Sequence, residues 1–383
     1  MIKNTNATVM GSELTHVKRC ILSGSLNGKG IYTKLCKKWL ESFMYSGRAL
    51  LVSSGTSALE MAAIVANIQL GDEIVVPSYT YVTTVNSFVL RGAIPVFVDL
   101  DYATMNINAS LIEAAITSKT RAIVPVHYGG VACDMDIIMQ TAKERNLIVC
   151  EDATMACCST FNKRMLGTIG HLGCISFQEK KNLTAGGQGG ALLVNDPSLI
   201  EHAEILYEHG TNRGRFLRGE VERYEWLGLG LNATLSEVQA AFLFGQIEAV
   251  DRINERRLLL WQRYYTALTS LSEKGYINLP LIPNNTTHNA NIFWIQVCDV
   301  SQRSSLLRHL SGANIQGHPQ FMPFHLSPFG RKYGRFSGED SVTSLAVSQI
   351  LLLPIHMALS DEDQNFVIDT IISFWRDRSH SST

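Results

Sequence analysis

The chain has 383 residues, of which 46% are hydrophobic and 17% charged, and its 33 basic and 34 acidic side chains leave a net charge of −1. This balance, without a basic stripe, argues against a nucleic-acid partner. No run of about 18 apolar residues suggests a membrane span, and the first residues lack the apolar core of a signal peptide. The eight cysteines form no CxxC pair, so we expect a cytoplasmic protein with reduced thiols and no metal site.

The first half of the chain alternates strand-like and helix-like segments. In chain order, strands are predicted at "DEIVVPSY", "IPVFVDL", "RAIVPVHY", "LIVCEDA", "CISF" and "GGALLVN". Helices are predicted between them at "YVTTVNSFVLRG", "NASLIEAAIT" and "DMDIIMQTAKERN". Apolar strands that alternate with amphipathic helices indicate an α/β fold with a mostly parallel sheet covered on both faces. Such sheets bind ligands beyond the carboxyl ends of their strands.

The pattern changes from about Leu235 onwards. The stretch "LSEVQAAFLFGQIEAVDRINERRLLLWQRYYTALTSL" has helical spacing of its apolar residues and is predicted as one long helix. The segments that follow, among them "INLPLIPNN", "NIFWIQVCDV" and "SSLLRHLSGANI", indicate a smaller α+β domain. We therefore expect a large domain over residues 1–254, which includes the N-terminal segment, and a small C-terminal domain over residues 255–383.

A glycine-rich stretch, "SFQEKKNLTAGGQGGALLVND", carries two adjacent lysines, Lys180 and Lys181. A dinucleotide-binding fingerprint needs glycines between a strand and a helix, whereas these glycines precede a strand. They are more consistent with a sharp backbone turn beside a bulky group. A plain turn with both lysines in solvent is the alternative, and it is the more common outcome for such a stretch taken alone.

The stretch "SSGTSALEMAAIVANIQLGD" opens an apolar helix with Gly55, Thr56 and Ser57. The first N–H groups of a helix have no partner within it, and they lie at the positive end of the helix dipole. This geometry predicts an anion site with two hydroxyl groups beside it. Ordinary N-capping by Ser54 or Thr56 is the alternative.

Two predicted strands end in polar or aromatic residues. "LIVCEDAT" ends with Glu151 and Asp152, and a carboxylate at this edge suits either a ligand contact or the cap of the next turn. "VVPSYTYVTT" places Tyr79 and Tyr81 after another strand. An aromatic ring there could stack on a flat ligand or pack into the core.

In combination, these features are the parts of a site for pyridoxal 5'-phosphate. That cofactor needs a phosphate cradle, a lysine amine for the Schiff base and a carboxylate for the pyridine nitrogen. Asp152 precedes Lys181 by 29 residues, and Ser176 precedes it by five. This order and spacing fit the aspartate-aminotransferase-like fold, also called fold type I of pyridoxal-phosphate enzymes.

Longer motifs carry a family resemblance over essentially the full chain. They are "GDEIVVPSYTYVTTVNSFVLRGAIPVFVD", "IEAAITSKTRAIVPVHYGGVACDMD", "GTIGHLGCISF", "KNLTAGGQGG", "HGTNR" and "EAVDRINERRLLLWQRYY". Through them the chain resembles the DegT/StrS-type sugar aminotransferases. The resemblance implies a pyridoxal-phosphate-dependent transaminase that moves an amino group from L-glutamate to the ketone of a nucleotide-linked 4-keto-6-deoxy sugar. It also implies a homodimer with shared active sites.

The same resemblance implies roles for individual residues. Lys181 would be the Schiff-base lysine, and Asp152 would bind the pyridine nitrogen. Tyr81 would stack on the cofactor ring, and Asn232 would reach the phosphate in the partner subunit's site. The phosphate would be held by Gly55, Thr56, Ser57 and Ser176. Weaker candidates for substrate contacts are Arg213, Gln320 and His325.

Four positions depart from the family pattern. The family usually has Gln or His at the position of Met155, and methionine cannot donate a hydrogen bond to an oxygen. Gln178 stands where the most similar members have His, and Gln320 and Phe321 replace a His-Tyr pair. These changes leave the lysine, the aspartate and the phosphate cradle intact.

Three alternative functions remain. The first is a same-fold enzyme that acts on a 3-keto or non-sugar substrate, and the second is a non-catalytic cofactor-binding protein. The third is a sugar dehydratase, but Lys181 argues against it because dehydratases of the family have His at this position.

Overall fold

The computed structural model describes residues 1–319 and 321–379, so the expectation for Gln320 lies outside the described residues. The strands are β1 (Arg48–Val52), β2 (Glu73–Pro77), β3 (Ile94–Val98), β4 (Thr120–Ile123), β5 (Ile148–Asp152), β6 (Thr160–Phe161), β7 (Arg164–Met165), β8 (Leu172–Ser176), β9 (Gly190–Val194), β10 (Ile277–Asn278), β11 (Thr286–Thr287), β12 (Phe293–Val297), β13 (His318–Pro319), β14 (Arg335–Phe336) and β15 (Ile350–Leu353). The helices are α1 (Glu13–Ser23), α2 (Ile31–Phe43), α3 (Gly55–Val65), α4 (Val82–Val89), α5 (Ile112–Ala115), α6 (Met135–Arg145), α7 (Ile200–Tyr207), α8 (Arg213–Leu217), α9 (Glu237–Glu248), α10 (Val250–Glu273), α11 (Val300–Gly312), α12 (Pro328–Tyr333), α13 (Thr343–Gln349) and α14 (Asp361–Ser379).

Eight strands form the central sheet in the order β1-β9-β8-β5-β4-β2-β3-β14. β9 pairs antiparallel with both β1 and β8, and the remaining neighbours are parallel. Along β2, Val75 packs into the apolar cluster on one face, whereas Ile74 and Val76 pack into the cluster on the other. Because both faces are buried, the strands are continuous apolar runs. The predicted α/β fold with a mostly parallel sheet is confirmed.

A second, four-stranded antiparallel sheet has the order β10-β12-β15-β13. Its apolar side chains, such as Phe293 and Leu351, share a core with Leu268 of α10 and Ile371 of α14. This α+β part lies in the C-terminal region, as the sequence predicted. However, β14 belongs to the large sheet through its pairing with β3, and α10 runs across the expected boundary at residue 254. The boundary itself remains a prediction.

Two predicted helices differ from the structure. The single helix expected from Leu235 is two helices, α9 and α10, which are separated by Ala249 with φ −107° and ψ 11°. No glycine or proline marks this break; α9 packs with α1 and α2, whereas much of α10 packs in the C-terminal core. The helix expected at "NASLIEAAIT" is a 3₁₀ turn, Ala109–Leu111, that continues into the short α5, and a polar turn with a hydrogen bond from the Thr117 N–H to the Thr120 hydroxyl follows it. Within the described residues, no helix is long and apolar enough to cross a bilayer.

Candidate active site

The start of α3 forms the candidate phosphate cradle. α3 begins shortly after β1 ends, and the Ser54 hydroxyl caps it by accepting the Ser57 N–H at 3.0 Å. Helix geometry leaves the N–H groups of Gly55 and Thr56 without an acceptor inside the helix, and the positive end of the dipole lies at the same place. Capping by Ser54 and anion binding by the next two N–H groups are therefore compatible with each other.

Ser176, the last residue of β8, lies next to the start of α3. A Cβ atom built on Gly55 would lie 2.8 Å from the Ser176 Cβ, 3.1 Å from its Oγ and 3.3 Å from the Thr154 γ-methyl. The missing side chain at Gly55 therefore lets the backbone of α3 approach two hydroxyl-bearing residues closely. The structure brings Ser176 and the three residues predicted from the helix start into one place, and it adds Ser54 and Thr154 to them.

Asp152 is the last residue of β5, and only 3% of it is exposed. Its Oδ2 accepts a 2.6 Å hydrogen bond from the Thr84 hydroxyl, and its Oδ1 accepts the Thr154 N–H at 3.1 Å. Thr84 was not predicted from the sequence, although it lies one turn after Tyr81 on α4. Tyr81 is 59% exposed, and its ring centroid lies 5.8 Å from that of Phe321. The Asp152 carboxylate is thus fixed by two hydrogen bonds, and the neighbouring Tyr81 ring is accessible to solvent.

The two adjacent lysines have different environments. Lys180 is exposed, whereas Lys181 is half-buried, and the Lys181 N–H donates to the Gln178 carbonyl at 2.9 Å. Burial lowers the pKa of the Lys181 amine to about 8, and the negative charge of Asp152 opposes this effect. A lysine with a lowered pKa supplies a neutral, nucleophilic amine close to neutral pH. The alternative of two solvated lysines is therefore wrong for Lys181.

Glu151 has a structural environment. Because side chains alternate along a strand, it points to the face opposite Asp152. Its carboxylate accepts three backbone N–H groups from the turn 167–170, at 2.5 to 2.9 Å, and lies 2.9 Å from Nε2 of His127. Both side chains are fully buried. Of the two acids predicted at this strand end, only Asp152 faces the candidate site.

The remaining predicted residues lie outside this group. Arg213 begins α8, where its guanidinium lies 3.6 Å from the Glu208 carboxylate. Asn232 is exposed and precedes Ala233, whose carbonyl accepts the Ser53 N–H at 2.6 Å. Its expected role in a partner's site remains a prediction.

His325 is held on both sides of its ring. Its Nδ1 lies 2.6 Å from the Ser78 hydroxyl, and its Nε2 lies 2.9 Å from the Asp340 carboxylate. The ring also lies against Phe336, with centroids 4.4 Å apart. A direct contact with substrate would require one of these partners to be released, so this role also stays a prediction.

Comparison with known proteins shows the family of the chain. The model of the DegT/DnrJ/EryC1/StrS aminotransferase family matches residues 9–372. The chain belongs to this family. The DegT/DnrJ/EryC1/StrS aminotransferases depend on pyridoxal phosphate, so the predicted cofactor and enzyme class are confirmed. The roles of individual residues toward that cofactor remain predictions.

Individual members of the DegT/DnrJ/EryC1/StrS family match almost the whole chain. The GDP-perosamine synthase of Caulobacter vibrioides is 30% identical over 94% of this chain and 94% of its own length. The dTDP-3-amino-3,6-dideoxy-alpha-D-galactopyranose transaminase of Aneurinibacillus thermoaerophilus is 32% identical over 84% of each. The crystal structure of the aminotransferase TlmJ from Streptoalloteichus hindustanus superposes with a TM-score of 0.90, at 29% identity, over 98% of this chain and 99% of that one. The chain is a sugar aminotransferase of this family.

Proposed function

We propose that this enzyme transfers the amino group of L-glutamate to the ketone of a nucleotide-linked 4-keto-6-deoxy sugar. The observation that carries the transaminase chemistry is the half-buried Lys181 near the carboxyl edge of the sheet, where burial lowers the pKa of its amine and the charge of Asp152 opposes this effect. Two relatives, the GDP-perosamine synthase and the dTDP-3-amino-3,6-dideoxy-alpha-D-galactopyranose transaminase, support a nucleotide sugar as acceptor. The ketone at C4 rests on the motif resemblance to the transaminase that forms dTDP-4-amino-4,6-dideoxygalactose.

The residues present fit pyridoxal 5'-phosphate. The start of α3 offers free N–H groups and no Cβ at Gly55, which suits a phosphate group. The phosphate would be bound by the residues predicted for it, Gly55, Thr56, Ser57 and Ser176. Asp152 would bind the ring nitrogen, Lys181 would hold the cofactor covalently, and Tyr81 would cover the ring.

The proposed chemistry depends mainly on two side chains of this chain. When bound, pyridoxal phosphate supplies an aldehyde that condenses with amines and a ring that accepts electrons from the substrate carbon. Once the amino acid has displaced Lys181 from the cofactor, Nζ of Lys181 would accept the proton from the substrate α-carbon and would deliver it to the carbon of the former aldehyde group. A pKa of about 8 suits a group that must do both near neutral pH. The anionic Asp152, fixed by Thr84 and Thr154, would keep the ring nitrogen protonated.

The acceptor would bind beside Tyr81 and Phe321, whose side chains are 59% and 47% exposed. Arg213 remains the candidate for an anionic group of the substrate, although Glu208 offsets part of its charge. Gln320 and His325 stay candidates for sugar contacts.

We infer that the active unit is a homodimer. The segment just before Asn232 exposes large apolar side chains, including Leu217 at 65%, Trp226 at 80% and Leu229 at 65%. Such a concentration of exposed apolar area indicates an interaction surface. Mixing inactive Lys181→Ala with inactive Asn232→Ala protein tests this proposal. Recovery of activity on mixing supports shared sites. If the activity of the mixture equals the sum of the activities of the two separate variants, the sites are not shared.

The acceptor is tested by glutamate-dependent turnover of the purified, cofactor-loaded enzyme. The substrates are matched 3-keto and 4-keto 6-deoxy sugars, each linked to dTDP and to GDP, and a panel of non-sugar ketones. Lys181→Ala serves as the inactive control, and Lys180→Ala as the variant that retains activity. We expect turnover of a 4-keto sugar nucleotide to exceed that of its 3-keto isomer. Preference for the 3-keto isomer contradicts the position of the ketone, and turnover of non-sugar ketones alone contradicts the sugar assignment.

A further inference from the structure

A buried asparagine, Asn289, contacts the loop that follows Asp152. Only 2% of Asn289 is exposed, and its side-chain amide donates to the carbonyls of Met155 at 3.0 Å and Cys157 at 2.8 Å. Its Oδ1 accepts the N–H of Asn291 at 3.1 Å. Every polar atom of this side chain therefore has a partner, and both donor hydrogens hold the loop that follows Asp152.

The backbone of the same residue contacts the loop that carries Lys181. Asn182, the next residue after Lys181, is 7% exposed and donates from Nδ2 to the Asn289 carbonyl at 2.6 Å. Its Oδ1 accepts a hydrogen bond from Nδ2 of Asn291 at 2.9 Å. The residue adjacent to Lys181 is thus tied to the segment 289–291 by two buried hydrogen bonds.

The segment is fixed from its other side by Arg257 of α10. This guanidinium is 4% exposed and donates to the carbonyl of Ala290 at 3.1 Å and to that of Asn291 at 2.6 Å. Within the described residues, no carboxylate forms an ion pair with it. Ala290 has φ 50°, a left-handed conformation that residues other than glycine adopt rarely. Such a conformation persists where surrounding contacts determine it, so the segment is a rigid support.

We propose that Asn289 is a positioning residue. It fixes the loop 181–187, which begins at Lys181, relative to the loop 153–159, which follows Asp152. The proposal rests on the proposed function in one respect, namely that Lys181 and Asp152 are the reacting pair. Asparagine suits this position because its short side-chain amide offers two donors to two carbonyls, while its backbone carbonyl accepts the hydrogen bond from Asn182. Aspartate has the same shape without a donor, so it would place a carboxylate against two carbonyl oxygens. In a buried network, losing such bonds is costly.

Hydrogen exchange of the cofactor-free protein, followed by mass spectrometry, tests this coupling without any substrate. In Asn289→Asp we expect exchange to become about tenfold faster in peptides covering 153–159 and 181–187 alike. In Asn182→Ala, which removes only the contacts of the lysine loop, we expect the change in 181–187 alone. This second variant keeps the proposal testable if Asn289→Asp folds poorly.

Asn106→Asp is the matched control. Asn106 is also buried, at 3% exposure, and its amide likewise donates to two backbone carbonyls, of Val131 and Ala132, while accepting the Tyr128 N–H. We expect this variant to lose stability without faster exchange in either test peptide. If Asn289→Asp accelerates exchange only in 153–159, or if both aspartate variants accelerate it equally throughout the protein, Asn289 is a local stabiliser and the proposal is wrong.

A second measurement concerns the loaded enzyme. We expect Asn289→Asp to shift the pH midpoint of the visible absorbance of the bound cofactor and to lower kcat more than it raises KM for glutamate, whereas Asn106→Asp changes neither. If exchange becomes faster in both peptides but the pH midpoint of the cofactor absorbance is unchanged, the two loops are coupled, and the assignment of Lys181 and Asp152 as the reacting pair is wrong. Unchanged exchange contradicts the coupling itself.

Discussion

The hydroxyl of Thr84 donates a 2.6 Å hydrogen bond to Oδ2 of Asp152, and both side chains are buried. Hydrogen bonds to a carboxylate stabilise its charged form. Thr84 thereby holds the Asp152 carboxylate in one orientation.

Replacing Thr84 by valine removes this donor and keeps the shape of the side chain. A hydrogen bond to a charged group contributes about 1.5–3 kcal/mol, so we expect Thr84→Val to bind pyridoxal phosphate about tenfold more weakly or worse. Titration of the cofactor-free protein, monitored by visible absorbance, measures this. Thr83→Val, at the adjacent half-buried position of α4, is the control and should bind normally. Equal affinity in Thr84→Val and wild type would exclude a role for this hydrogen bond.

A methyl group at Gly55 tests the phosphate cradle. The added Cβ would lie 2.8 Å from the Cβ of Ser176, which is too close for van der Waals contact, so α3 would have to move away from β8. We expect Gly55→Ala to reduce the preference for pyridoxal phosphate over unphosphorylated pyridoxal, measured as the ratio of the two dissociation constants. Gly312→Ala, where a Cβ would meet open space, is the control. An unchanged ratio in Gly55→Ala would place the phosphate elsewhere.

The lowered pKa of Lys181 predicts a pH-dependent stability of the cofactor-free protein. The folded value is about 8, whereas an unfolded lysine titrates at about 10.4. Between these values the unfolded state binds more protons, so the contribution of Lys181 to the free energy of unfolding rises with pH in this window and is least favourable below pH 8.

Lys181→Met removes this contribution. Relative to wild type, the variant should be more stable at pH 7, and the difference should shrink as the pH rises from about 8 toward about 10. Urea unfolding over a pH series measures the difference, with the exposed Lys180→Met as control. A difference that stays constant over that range would show that the Lys181 amine titrates like an ordinary lysine.

The buried carboxylate of Glu151 predicts a stability effect separate from the active site. Glu151→Gln would place an amide NH₂ group against backbone N–H donors or against Nε2 of His127. We expect a loss of about 3 kcal/mol in the free energy of unfolding of the cofactor-free protein. Glu255→Gln, at an exposed position, should change it by less than about 0.5 kcal/mol. Urea unfolding measures both, and equal stabilities would contradict the structural role of Glu151.

Local sequence patterns predicted the strands of the large sheet well because β2, β3 and β5 are continuous apolar runs, whose burial leaves a clear signal. Lys181, Asp152 and Ser176 were predicted because their spacing carries a motif. The break at Ala249 was missed because no helix-breaking residue marks it.

Thr84 and Asn289 were missed for another reason. Thr84 is 68 residues from Asp152 in the chain, and Asn289 is 134 residues from Met155. Their partners are set by how the strands and loops assemble, and a threonine in a helix or an asparagine in a polar loop has many more common roles. The same limit applies to Glu151, since alternation along β5, and not its residue type, decides which acid faces the site.

Borohydride reduction of the cofactor-loaded protein, followed by proteolysis and mass spectrometry, tests the central assignment most directly. The adjacent lysines provide an internal comparison, because Lys180 is exposed and Lys181 is half-buried beside the candidate site. We predict a single pyridoxyl modification, located on Lys181 and absent from Lys181→Ala. Modification of Lys180 or of another lysine in its place would contradict the account.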